Sequence, residues 1–210
     1  MKNLVLCFLV AGVLLLVGCQ SEQTTTAETP AAKPEPPATQ AYSGREAFQR
    51  LFVSARGWAP DAQPYRLESV PTSDANGQDG KSAVWRASFA SPARRTIKTL
   101  VWSGSVAEGA PERGVMPGVE DMYNPGNRAT QVFDLGFLKI DSSQALETSK
   151  ERGGAKILKE NPDQPITYTL DMDSSRNVLT WYITYGTSPM NAKLRVSVNA
   201  MTGGFLRVEK

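Results

Sequence analysis

Apolar residues at Phe48, Leu51, Phe52 and Ala55 follow the i, i+3, i+4, i+7 spacing of a helix with one buried stripe. Just upstream, Ser43-Gly44-Arg45-Glu46 has the form of a capping box: the serine hydroxyl accepts from the N3 amide while the glutamate reaches back to the cap. Gly57 supplies the expected stop. The arrangement is repeated about a hundred residues later, with Asp141 as cap, Gln144 three residues on, Ala145 and Leu146 turned inward, and Gly153-Gly154 as terminator. A further turn or two of helix is expected from Ala155 to Glu160. Each helix alone is marginal in water, so each needs a partner surface.

After each helix the pattern changes to the alternation of half-buried strands. Tyr65 to Val70 is expected to pair with Ala83 to Phe89 across a loop holding Asn76-Gly77 and Asp79-Gly80. Ile166 to Met172 is expected to pair with Val178 to Tyr185 across the tighter Asp173 to Asn177. The inward positions agree: Ala83, Trp85, Ala87 and Phe89 take the places of Leu179, Trp181, Ile183 and Tyr185. Beyond turns containing Ser91-Pro92 and Ser188-Pro189, and allowing a one-residue gap, Ile97, Thr99 and Val101 line up with Leu194, Val196 and Val198. The second copy ends with a turn at Met201 to Gly204 and a last strand, Phe205 to Val208. In the first copy that hairpin gives way to an irregular insert.

These patterns predict an α+β fold of two tandem helix-plus-antiparallel-strand units, 43–105 and 129–210, separated by an insert loop at 106–128. The two half-covered sheets are expected to merge into one larger antiparallel sheet with the helices on one face. A chain of this size buries about 70% of its unfolded surface, enough for a core without cross-links.

The beginning of the chain sets its expected address. Met1 to Gly18 carries one cation at Lys2 and an apolar run from Leu4 to Val17, shorter than a membrane-spanning helix and suited to a secretory signal. Leu16-Val17-Gly18-Cys19 resembles the lipobox of bacterial lipoprotein precursors. That resemblance implies cleavage before Cys19, a diacylglycerol thioether on its sulfur and acylation of the new amino terminus, such as by palmitate. Two or more chains are needed for a stable anchor. Gln20 in place of aspartate leans towards the outer membrane, on its periplasmic face, if the source has two membranes. Residues 19–42, rich in Pro, Thr, Ala and Glu and lacking large aliphatic side chains, read as a disordered tether. At ~3.1 Å per residue it would reach up to roughly 70 Å.

The order of helix, strand, Trp-bearing strand, turn and Val-rich strand, closed by Asn199-Ala200-Met201-Thr202-Gly203-Gly204-Phe205-Leu206-Arg207-Val208, resembles the PepSY-like domains of bacterial extracytoplasmic proteins. The resemblance is good over Ile166 to Val208 and loose over Ser43 to Trp102, where the terminal Thr-Gly hairpin is missing. It implies a tandem of such domains and a protein-binding or peptidase-restraining role.

Composition narrows the chemistry. With no histidine, and with cysteines only at positions 7 and 19, a Ser-His-Asp triad, a Cys-His pair, disulfides in the mature chain and the common zinc sites are all excluded. Of 23 basic and 21 acidic side chains, Lys2 goes with the signal, leaving a nearly neutral protein with no general attraction for nucleic acid. No phosphate-binding Gly-rich motif is present, and no cofactor is implied. The run Asp171-Met172-Asp173-Ser174-Ser175 begins like a calcium loop, but Arg176 stands where glycine is needed, so it reads as a hairpin turn and no metal site is expected. Carboxylates remain: Glu120 with Asp121, and Asp134 with Asp141, could in principle perform acid-base hydrolysis. Arg94, Arg95 and Lys98 form a small basic cluster on the first copy's turn, suited to anionic lipid or glycan, or to discouraging edge aggregation.

The insert holds the candidate partner-binding residues Met116, Glu120, Asp121 and Tyr123. It either folds back over the sheet edge where the first copy lacks its hairpin or contacts a partner. The expected function is therefore a non-enzymatic, lipid-anchored envelope protein that binds another extracytoplasmic protein, with restraint of a peptidase as one form of that binding. A carboxylate-based hydrolase of cell-wall or surface polymer, and a carrier of a small apolar ligand, are the alternatives.

Overall fold

The computed structural model describes residues 38–209, so the signal segment, Cys19 and most of the tether lie outside the described residues. In chain order the regular elements are β1 (Tyr42–Ser43), α1 (Gly44–Trp58), β2 (Gln63–Ser69), β3 (Lys81–Ser82), β4 (Val84–Ser91), β5 (Thr96–Ser103), β6 (Gly114–Met122), α2 (Ser142–Ser149), α3 (Ala155–Glu160), β7 (Ile166–Asp173), β8 (Val178–Tyr185), β9 (Leu194–Asn199) and β10 (Phe205–Val208). Eight strands form one antiparallel sheet in the order β10-β9-β8-β7-β2-β4-β5-β6. The expected α+β fold is therefore present: two four-stranded meanders join along β2 and β7 into one large sheet.

The sheet joint lies on a pseudo-two-fold axis. β2 and β7 pair antiparallel with Arg66 opposite Asp171, Leu67 opposite Leu170 and Glu68 opposite Thr169. Ser69 lies opposite Trp85 as Leu170 lies opposite Trp181, so Glu68 and Thr169 are equivalent residues facing each other at the axis. Trp85 and Trp181 occupy matching sites, fully buried, with ring centroids 6.5 Å apart in an edge-to-face contact. Each indole N–H donates at 2.9 Å to the carbonyl immediately before a helix cap, Tyr42 in one unit and Ile140 in the other.

Both capping boxes are formed, by Ser43 with Glu46 and by Asp141 with Gln144. Phe48, Leu51 and Ala55 turn inward from α1, and Ala145 and Leu146 from α2. The expected stops shift. α1 runs through Gly57 and ends at Trp58, because Pro60 holds the preceding Ala59 in an extended conformation. α2 ends at Ser149 and enters a wide turn, Lys150–Gly154, in which Gly153 has φ +112° before α3 begins.

Two strand expectations are corrected. The one-residue gap in the third strand does not exist. Trp102 lies opposite Trp85 as Val198 lies opposite Trp181, so the core-facing residues of β5 are Lys98, Leu100 and Trp102, while Ile97, Thr99 and Val101 face the other way. Aligning β-branched residues favoured the gap, but burying the indole of Trp102 dictates the register. Nor does the first copy lack its last strand. β6 follows β5 as β10 follows β9, and its glycines and Pro117 hide the alternation that an edge strand does not require.

The boundary of the tether also moves inward. Thr39 Oγ1 donates to Asp74 Oδ2 at 2.6 Å, and the Gln40 amide donates to the Gly104 carbonyl at 2.9 Å. The Tyr42 ring lies 4.4 Å from that of Trp102, with the Arg50 guanidinium 4.4 Å from its centroid. In the second unit Lys139 and Ile140 donate their amides to Ala200, the equivalent of Gly104. The approach to each helix is thus strapped to the same point of its meander.

Asp74 secures the first strap and also accepts from Ser105 Oγ and the Val106 amide. Burial raises its pKa, but hydrogen bonds from Thr39, Val106 and Ser105 outweigh it and hold the carboxyl well below the usual range. A folded pKa below the unfolded one contributes stability above the unfolded value of about 4, which is lost as the pH falls towards the folded value. Asp74→Asn is therefore expected to lower the melting temperature at pH 7 and to flatten its decline below about pH 4, read by thermal melts from pH 7 to 2.

Candidate functional site

β6 is the outermost strand on the first unit's side, and its backbone edge away from β5 has no partner strand among the described residues. Along β5, Met116 lies opposite Val101, Pro117 opposite Leu100, Glu120 opposite Lys98 and Asp121 opposite Ile97, with a bulge at Gly118 and Val119. Successive residues of a strand point to opposite faces, so the four candidate residues separate. Met116 and Asp121 lie on the open face of the sheet, while Glu120 lies on the helix face. Tyr123 is only 8% exposed, against Tyr65, Ala90, Ile97 and Val132. Its role as a contact group is corrected to a structural one: the Tyr123 amide donates to the Arg95 carbonyl, and the ring covers the corner beside the β2 bulge at Tyr65. The most exposed apolar side chains of β6 are Val119, 88% exposed, and Met122, 85% exposed.

Glu120 anchors the strand to α1. Its carboxylate accepts from Trp58 Nε1 at 2.8 Å, Lys98 Nζ at 3.4 Å and Arg94 Nη2 at 3.5 Å. The Trp58 indole N–H, helped by Arg94 and Lys98, holds the Glu120 carboxyl below the usual carboxylate range. Arg94 also donates to the Trp58 carbonyl at 2.8 Å, and both cations lie within 6 Å of the Trp58 ring centroid, Arg94 at 5.3 Å and Lys98 at 5.7 Å. Two members of the basic cluster are thus committed to locking the end of α1 onto the sheet edge.

The carboxylate pairs are not brought to a common cleft. Glu120 and Asp121 occupy opposite faces. Asp134 caps a short 3-10 turn, accepting from the Gly136 amide, and Asp141 accepts from Ser43, Arg45 and Ser142 at the meeting point of two helices. The Asp171–Arg176 segment is the expected hairpin: Asp173 accepts from Ser175 and Arg176, and Asn177 has φ +55°. Among the described residues no group of three or more acidic, His or Cys side chains could hold a metal ion.

The segment from Arg128 to Phe137, whose sequence has no periodicity, lines several clefts, of which two bear on function. One, of ≈390 Å³, has apolar walls from Phe133, Phe137, Met172, Leu179 and Met201. It opens at the surface, whereas the space between helices and sheet is filled by Trp85, Trp181, Tyr168, Tyr185 and Phe89, all buried. The other, of ≈290 Å³, lies on the open face at the joint of β2 and β7.

No protein-family model matches the chain, and no curated protein matches its sequence. Among solved structures, it is similar to the crystal structure of a candidate lipoprotein from Clostridium difficile 630, with 16% identity over 78% of this chain and 91% of that chain, at a TM-score of 0.48.

Proposed function

We propose that this is a non-enzymatic, lipid-anchored protein of the cell envelope whose folded domain binds another extracytoplasmic protein along the free edge of β6. The observation that carries the reading is that edge: a nine-residue outer strand with Val119 and Met122 almost fully exposed, fixed to the core by Glu120 and Tyr123. An extended segment of a partner adds there as a further strand, its main chain bonding to β6 and its side chains meeting Val119 and Met122. Pro117 and the neighbouring bulge interrupt the edge and guard it against indiscriminate pairing, so a partner strand engages one side of the break. The lipobox-like segment ending at Cys19 supports the anchor, and Gln20 supports the periplasmic face of an outer membrane where there are two. The PepSY-like order of elements makes a peptidase the expected partner class.

The test uses crosslinking capture from detergent-solubilised envelope, comparing the wild type with Val119→Asp/Met122→Asp. Exposed positions of this kind change stability by no more than about 0.5 kcal/mol each. The expected result is a stoichiometric partner captured by the wild type and lost by the variant with its melting temperature unchanged. Equal capture by both rejects the edge as the site. In the same cells a palmitate analogue labels the wild type but not Cys19→Ala; label on both removes the anchor.

A further inference from the structure

The cleft at the joint of the two units has a chemical bias that the edge-strand reading does not use. Its walls include Tyr65 and Arg66 from β2, Asp171 from β7, Ser174 from the following turn, and Arg128 from the connector. Most of the polar groups there are hydrogen-bond donors, and most of those have no acceptor among the described residues. The Arg128 guanidinium, the Ser174 hydroxyl and the Tyr65 hydroxyl make no hydrogen bond or ion pair among the described residues. Arg66 spends two of its nitrogens on one oxygen of Asp171, Nη2 at 2.7 Å and Nε at 3.2 Å, which leaves Nη1 unused. Among the described residues lining the cleft Asp171 is the one carboxylate, and this pairing neutralises it. Arg128 therefore contributes an uncompensated positive charge, with two hydroxyls able to donate beside it.

The geometry points to an oxyanion site: this cleft takes a single carboxylate or phosphate group, held by Arg128 with help from Ser174, Tyr65 and the free edge of Arg66. A guanidinium presents paired N–H donors in the plane that such a group needs, and a concave wall at the sheet face strengthens the contact over one in open water. The ion pair of Arg66 with Asp171 positions the second guanidinium and ties the site to the joint of the two meanders. The site lies three strands away from β6, so it stands or falls independently of the proposed edge-strand binding.

The experiment titrates the full-length protein with inorganic phosphate, with N-acetylglycine as a free carboxylate and with N-acetylglycinamide as its neutral counterpart, following arginine Nε–H resonances. Expected is a saturable shift with at least one of the two anions and none with the amide, weakened at least fivefold by Arg128→Gln and unchanged by Arg152→Gln, a cation elsewhere on the surface. Response to phosphate alone or to the carboxylate alone identifies the source of the group. Ser174→Ala, which leaves the bonds from the Arg176 and Asn177 amides to the Asp173 carbonyl in place, is expected to weaken binding about twofold to fivefold. The proposal is overturned if neither anion saturates, if the amide binds as well as the acid, or if Arg128→Gln and Arg152→Gln titrate alike.

Discussion

Trp181→Ala is expected to lower the unfolding free energy by about 3–5 kcal/mol, the range for truncating a large buried aromatic side chain. Trp181 has no exposed surface, and its indole reaches across the joint, so close to the start of α1 that a Cβ on Gly44 would lie 2.5 Å from its ring. The variant leaves a cavity beneath both helices and strips the Ile140 carbonyl of its donor. Trp181→Phe separates these effects: it keeps most of the apolar bulk, leaves that carbonyl unpaired, and is expected to cost about 1–3 kcal/mol. Trp85 stands in the equivalent place with its bond to Tyr42, and Trp85→Ala should cost a similar amount. The two indoles touch edge to face, so the double variant is expected to deviate from additivity by about 0.5–1.5 kcal/mol. Urea unfolding of these four variants beside the wild type measures all of this. Loss of only one of two separate transitions would show that the meanders unfold independently and that the shared core does not couple them.

The tryptophan pair was also the most legible feature of the sequence. A large aromatic residue in a strand, followed by a turn and a Val-rich strand, is written twice at the same spacing, and burial of bulk is a local demand that one sequence can reveal. The capping boxes are legible for the same reason, because Ser43 and Glu46, or Asp141 and Gln144, satisfy each other within four residues. What stayed hidden depends on distant parts of the chain. β6 carries two glycines and a proline and reads as a loop; it becomes a strand because β5 already presents an edge to it. The register of β5 is set by Trp85 across the ladder and not by its own β-branched residues. Tyr123 could not be told from a contact residue without knowing that Tyr65 sits on a bulge beside it. The donor-rich cleft is assembled from β2, β7 and a connector without periodicity, so no spacing in the sequence brings Arg66 and Arg128 together.

Asp141→Ala is expected to cost about 2–4 kcal/mol, more than the roughly 1 kcal/mol of an ordinary helix cap, because this carboxylate serves two helices at once. Its Oδ1 accepts from the Ser142 amide of its own helix at 2.7 Å and from the Arg45 amide of α1 at 2.9 Å. Its Oδ2 accepts from Ser43 Oγ at 2.7 Å, and Ser43 is itself the cap of α1. The reciprocal contact runs from the Gly44 amide to Ser142 Oγ at 2.8 Å, so the two helix starts are bonded to each other across the pseudo-two-fold axis. Two amino-terminal helix ends brought together place like partial charges side by side, and one carboxylate between them turns that repulsion into attraction. Alanine removes the charge and leaves the donors of Arg45, Ser142 and Ser43 facing one another. Asn at the same site keeps an acceptor for the two amides and can donate to Ser43 Oγ, so Asp141→Asn loses the charge but not the geometry and is expected to cost about half as much. Ser43→Ala removes the cap of α1 alone and should cost about 1 kcal/mol. Chemical denaturation of the three variants gives the ordering. A cost for Asp141→Ala no greater than that for Ser43→Ala would mean that water or the remaining side chains replace the shared carboxylate, and that the two helix starts do not depend on it.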